Sequence, residues 1–207
     1  MNLRSNQPKR SKRGFSTLEL MTVVVILVFL VGIAVPSMMQ AVYNLRLAGG
    51  ASDLAGLMQR ARIQAARTNT AFPIRYTNLS GVQLVYIDRN RDATYDNSEP
   101  QIEFSGTVVP ASGAPSGSGG QPAAYVLTGD TSTGSVYTNT TMLGFSSRGL
   151  PCAYDASTTP PTCATPATNY FVYYLTDTRI GAPGWAAVVV TKSGRTHVVM
   201  WDGSTWH

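Results

Sequence analysis

The hydrophobic pattern divides the chain into three textures. From Phe15 to Met39 the only charged residue is Glu19, and Leu20 to Val35 is apolar apart from Thr22 and Gly32. A run of that length forms a helix long enough to cross most of a bilayer. Beyond Pro36, the positions Val42, Leu45, Ala48, Ala51 with Leu54, Ala55, Met58, Ala61 and Ala65 keep helical spacing, which predicts that one helix continues to about Arg67, weakened at Gly49-Gly50. From Ala71 the period shortens. Runs rich in β-branched and aromatic residues, broken by Gly, Pro, Ser and Asn, predict strands at 72–78, 82–87, 101–104, 123–127, 141–146, 169–176, 185–191 and 195–201. The last two read as a hairpin turning at Lys192-Ser193-Gly194, and Pro110 to Pro122 reads as a flexible loop. The expected architecture is α+β: 1–14 a basic leader, 15–38 a membrane helix, 39–68 its amphipathic continuation, and 69–207 a β-rich head.

Composition sharpens this picture at one point, the location of the positive charge. The formal charge of +5 would suggest a nucleic-acid partner. Residues 1–14, however, hold Arg4, Lys9, Arg10, Lys12 and Arg13 with no acid, and from Phe15 onward eleven basic residues match eleven acidic ones. Five cations ahead of an apolar run place the N-terminus in the cytoplasm and the head outside. A cleaved secretory signal fits poorly, because the run is too long and Ile33-Ala34-Val35-Pro36 is a poor cleavage site. Hydrophobic residues make up 43% and charged residues 13%, and neither figure suggests a disordered chain. The two cysteines, Cys152 and Cys163, lack metal-ligand spacing and a nearby histidine, so a disulfide is expected. In the chain-entropy account it stabilises by about 2–4 kcal/mol and persists in an oxidising compartment.

Glu19 is the anomaly. An acid within a membrane helix costs about 2.5–3.5 kcal/mol at the bilayer centre, and the segment contains no basic partner. The surrounding residues, Lys12-Arg13-Gly14-Phe15-Ser16-Thr17-Leu18-Glu19-Leu20-Met21 followed by Val23 to Val28, resemble the class III signal of type IV prepilins and pseudopilins. The resemblance implies that a membrane aspartic prepilin peptidase cuts after Gly14 and N-methylates Phe15. The new ammonium on Phe15 then becomes the counter-ion for Glu19 of a neighbouring subunit, a pair that sets register in assembly. Gly14 lets an extended backbone enter the peptidase, and Pro36 removes one helical hydrogen bond and is expected to kink or locally melt the helix where it leaves the membrane. The head size, Phe145-Ser146-Ser147-Arg148-Gly149 and the strand pair around Ser193-Gly194-Arg195 look like the FimT/GspH group of minor pilins and type II secretion pseudopilins. The implied partners are other pilins, the assembly platform, the peptidase and the inner membrane.

Three weaker chemistries compete with this reading. Some FimT-like subunits bind DNA in uptake through a Gly-Arg-x-Arg motif. This chain has Gly194-Arg195-Thr196-His197 after Lys192, and a histidine mostly neutral at neutral pH halves the cationic motif. Arg60, Arg62 and Arg67 suggest either a basic patch or a solvated helix face. Asp88, Asn90, Asp92, Thr94, Asp96 and Glu99 stand at positions 1, 3, 5, 7, 9 and 12 of a calcium-type loop, but Ala93 occupies the glycine position, and a polar hairpin tip with Asx turns fits equally. An enzyme is not expected: the only histidines are His197 and His207, and no nucleophile elbow, phosphate loop or metal cluster is visible. No cofactor is expected unless the acidic loop takes calcium.

Overall fold

A computed structural model describes residues 16–104, 106–111, 113–115, 122, 136–138, 143–158, 161–164, 170–181 and 184–207. The expected leader, Phe15 and the strand at 123–127 lie outside the described residues. The chain forms two compact units, Met1–Ala41 and Val42–His207, and helix α1 (Thr17–Thr68) contributes to both.

In the first unit, Ser16 begins the helix. Its hydroxyl accepts the Leu18 N–H at 3.3 Å and its carbonyl accepts the Leu20 N–H at 3.1 Å, the geometry of an N-cap. Pro36 lies inside α1, and the helix continues through it. Hydroxyls within the apolar stretch are satisfied locally: Thr22 donates to the Glu19 carbonyl and Ser37 to the Ala34 carbonyl, each at 2.9 Å. Such back-bonding removes the cost of a bare hydroxyl in lipid.

In the second unit, α1 buries Leu47, Ala51, Leu54, Leu57, Met58, Ala61 and Ala65. Ala51, Leu54, Met58, Ala61 and Ala65 lie on the expected stripe, whereas Val42 and Leu45 at its start are exposed and Leu47 and Leu57 join the buried face. The helical spacing and its phase hold from Ala51 to Ala65, and only the first turns of this part of the helix depart from them. Gly50 stays helical, with the Phe104 ring against it.

Two sheets complete this unit. The first has the order β3-β2-β1-β6-β7-β8, from β1 (Phe72–Leu79), β2 (Val82–Ile87), β3 (Gln101–Glu103), β6 (Leu143–Phe145), β7 (Pro151–Asp155) and β8 (Thr162–Ala164). The second has the order β11-β10-β9-β4, from β4 (Val108–Ala111), β9 (Tyr170–Asp177), β10 (Trp185–Val190) and β11 (Thr196–Trp201), with β5 (Val136–Thr138) pairing with β9. All pairings are antiparallel except β5 with β9. This is the expected α+β, pilin-like architecture, with its strands shared between two sheets.

Alternation in β10 shows how the core is built. Ala186, Val188 and Val190 join the cluster that includes the helix stripe, Phe145 and Phe171, while Ala187 and Val189 join a second cluster with Tyr174, Trp201 and Trp206. A strand buried on both faces must be apolar at every position. The β10–β11 hairpin matches expectation: Val188 pairs with Val198, and the Gly194 N–H donates to the Thr191 carbonyl at 2.7 Å.

The expected loop from Pro110 is corrected at its start, since Pro110 and Ala111 belong to β4 and pair with Leu175 and Tyr174. β4 ends the sheet order, where proline's missing N–H is tolerated.

One ion pair ties the turn after β9 to the helix. Arg179 donates to the buried Asp177 carboxylate at 3.1 and 2.8 Å, Thr107 adds a hydroxyl donor at 2.7 Å, and the guanidinium lies 4.1 Å from the Tyr43 ring centroid. The Arg179 hydrogen bond outweighs burial and holds the Asp177 carboxyl down at about 2. A folded-state value below the unfolded one makes this stabilisation, about 2 kcal/mol, fully present above roughly pH 4 and lost as pH falls toward 2. Asp177→Asn is expected to flatten that acid limb in thermal melts from pH 5 to 2; an unchanged limb would place the acid sensitivity elsewhere.

Candidate functional site

The segment singled out by the sequence is wholly exposed within the chain: residues 16–42 are exposed, and the most apolar window of α1 has a mean hydropathy of 2.8 and no burial. The helix is long and apolar enough to cross a membrane. Glu19 occupies the first turn of α1, three residues after the Ser16 cap. That position carries unpaired N–H groups and the positive end of the helix dipole, which favour a carboxylate by about 0.3–1 kcal/mol. The Ser16-Thr17-Leu18-Glu19 sequence fits a capping box, a local signal that the apolar run obscured. The placement also locates the acid at the start of the helix rather than at mid-length. Gly14 and Phe15 lie outside the described residues.

The disulfide is formed. Cys152 on β7 and Cys163 on β8 are bonded with Cα atoms 5.4 Å apart, a diagonal link across two strands in which Tyr154 pairs with Cys163.

The acidic loop between β2 and β3 folds around its own carboxylates. Asp88 is fully buried; its Oδ2 accepts Arg75 Nε at 2.6 Å and the Ala93 N–H at 3.1 Å, and its Oδ1 accepts the Arg91 N–H at 2.6 Å. Glu99, also buried, accepts the Arg89 N–H at 2.7 Å and the Asp96 N–H at 3.3 Å. Asp92 accepts the Asn90 amide at 2.9 Å and the Thr94 N–H at 2.7 Å, and Asp96 accepts the Ser98 N–H at 3.0 Å. These are Asx turns, in which the carboxylate oxygens meet N–H donors. Among the described residues no three His, Cys, Asp or Glu side chains converge as metal ligands. Ala93 nevertheless takes φ +66°, supplying without glycine the left-handed turn expected at that position.

Of the cationic candidates, Arg195 and His197 are exposed, and Lys192 Nζ lies 4.9 Å from the Tyr170 ring centroid. His197 pairs with Val189, on the outer cluster's side of the sheet, whereas Thr196 accepts the Gln59 amide at 3.0 Å on the helix side. Arg60 and Arg67 are solvated, but Arg62 is not. Its Nε donates to the Gly149 carbonyl at 3.0 Å and its Nη1 to the Gly194 carbonyl at 3.1 Å, and Gln59 donates to Gly194 as well, at 3.2 Å. Both glycines have positive φ, +71° and +78°, and a Cβ on Gly194 would sit 3.0 Å from Arg62 Nε. The Phe145–Gly149 and Ser193–Arg195 motifs therefore meet at one helix arginine, as structural partners.

The chain is similar to a pilin-like protein. Over 98 residues it is 35% identical to the Pilin-like protein PilA1 of Thermus thermophilus, a match covering 47% of this chain and 60% of that relative. No protein-family model and no solved structure matches.

Proposed function

We propose that the chain is a structural subunit of a type IV pilus or of the related type II secretion pseudopilus. It is cut after Gly14 and N-methylated on Phe15 by prepilin peptidase, held in the inner membrane with its head outside, and then drawn into a fibre by its apolar helix. The FimT/GspH-like motifs at Phe145–Gly149 and Ser193–Arg195 favour a minor subunit. The observation that carries the reading is Glu19, a lone carboxylate in the first turn of a helix whose apolar window is entirely uncovered. A simple anchor has no use for that acid, whereas a fibre subunit pairs it with a neighbour's new N-terminus. Similarity to a pilin-like protein and the α+β architecture agree with it.

Mass spectrometry of the membrane form tests the proposal. The expected N-terminus is Phe15 bearing one added methyl group. An intact Met1, or an unmethylated terminus elsewhere, would reduce the protein to a tethered domain.

A further inference from the structure

A sheet edge is a row of unpaired N–H and C=O groups, which folded proteins keep short, break with proline or cover. The two sheets end in β3, β8, β4 and β11. The strands β3 and β8 are three residues long, and β4 carries Pro110. By contrast, β11 has six residues and no proline. Its backbone groups alternate between two directions. The Arg195 carbonyl accepts the Thr191 N–H at 2.8 Å across the hairpin, whereas the Met200 N–H and C=O both bond His207, each at 3.0 Å, on the far edge. Antiparallel pairing repeats this alternation, so Thr196 and Val198, in step with Met200, also turn their N–H and C=O away from β10. Trp206 and His207 cap the far edge only at Trp201 and Met200. Among the described residues, Thr196 and Val198 have no backbone partner there.

This open edge adjoins a groove on α1. The Gln59 amide donates to Thr196 Oγ1 at 3.0 Å, and Gln59 also lines a groove of about 660 Å³ with Gly56, Arg60, Ile63 and Arg67. The floor is small and apolar: a Cβ on Gly56 meets no atom within 4 Å, and Ile63 is 57% exposed. The border is cationic, and neither Arg60 nor Arg67 makes an ion pair among the described residues. Thr196, Val198 and Met200 share the helix side of the sheet. A strand added beside β11, about 4.8 Å away, therefore turns every second side chain toward the groove.

We infer that the β11 edge and this groove together bind an extended, acidic segment of a different protein by strand addition. The edge supplies main-chain hydrogen bonds, and the groove reads alternate side chains, carboxylates at Arg60 and Arg67 and apolar groups at Ile63. Arg195, exposed beside the strand, strengthens the preference for acid. A second copy is a poor occupant: edge to edge it sets its own Arg195 and Arg60 near these, and the tail at Met200 blocks pairing centred on Val198. All of these residues belong to the Val42–His207 unit, so the site stands whether or not the chain enters a fibre.

Fluorescence anisotropy on the full chain in detergent tests the site, with a capped, labelled peptide alternating glutamate and valine as probe. It is expected to bind at least about tenfold more tightly than the same peptide with lysine for glutamate or with every amide N-methylated, a gap of about 1.4 kcal/mol. Hydrogen exchange gives a readout that charge attraction alone does not move: the Thr196 and Val198 amides are expected to slow at least about tenfold on binding. Val198→Pro removes an edge N–H while leaving the bonds to β10, and is expected to weaken binding about tenfold. Arg60→Glu, at a solvated position that does not endanger the fold, is expected to do the same. No binding, equal binding of either control peptide, or binding without protection of Thr196 and Val198 overturns the inference. Duplex DNA that binds as tightly as the peptide and is lost in Arg60→Glu overturns it in favour of a nucleic-acid face. Dimers of the peptide-free chain that dissociate in Val198→Pro overturn it in favour of a second copy.

Discussion

A Glu19→Leu chain is expected to insert into the membrane and to lose the proposed leader no less than the parent, yet to yield at least about tenfold fewer sedimenting fibres, the loss matching about 1.4 kcal/mol per subunit contact. Leucine removes the cost of carrying an acid in the apolar segment, so insertion gains nothing from keeping Glu19. What is lost, on the reading proposed above, is the carboxylate that would meet the Phe15 ammonium of the next subunit. The helix itself survives, because the Ser16 cap remains and leucine is the better helix former. Immunoblots of membranes and of sheared, pelleted fibres separate the two steps. Fibres at parental yield would show that the acid serves some other purpose.

Asp88→Ala is expected to be the most damaging single change in the β-rich unit, costing about 3–5 kcal/mol. The carboxylate is fully buried and accepts three donors, one of them the guanidinium of Arg75. Truncation leaves that cation, 17% exposed, without its counter-charge and strands two backbone N–H groups. Denaturant unfolding of the full chain in detergent measures the loss. The double variant Arg75→Met with Asp88→Leu is expected to recover much of it, since apolar replacement of a buried pair is often near neutral. A chelator is expected to leave the parent's unfolding midpoint in place, because N–H donors already engage these oxygens. A midpoint that drops on chelation would make calcium the organising partner of the loop.

Part of this arrangement is legible in the sequence. The Val82–Ile87 strand and the Val188–Val198 hairpin follow from β-branched runs bounded by Ser-Gly and Lys-Ser-Gly turns, and the structure has both. The helix end was also legible, at Thr68 against an expected Arg67. What escaped was structure made by distant partners. Pro151–Asp155 and Thr162–Ala164 have poor local strand character and are strands because β6 supplies an edge and the disulfide joins them. Val108–Ala111 contains a proline that only an edge position tolerates. The helix stripe from Ala51 to Ala65 is legible in the sequence, but the exposure of Val42 and Leu45 at its start is not. For the functional segment, Glu19 and Pro36 stand out by chemistry alone, while the capping role of Ser16 needs the hydrogen bond to be seen. Arg62 looked like one of three similar arginines, and only the approach of two glycine carbonyls from distant loops sets it apart.

The covalent link between β7 and β8 has a practical corollary. Asp155, Ala156, Ser157 and Pro161 are exposed, and the strands on either side of this turn are held by Cys152 and Cys163 with their Cα atoms 5.4 Å apart. The ends of the turn are anchored independently of its contents, and each doubling of a flexible insert adds only about 0.6 kcal/mol of closure cost. The hairpin is therefore a natural place to graft a foreign epitope, one that each subunit would carry without disturbing the sheet beneath it.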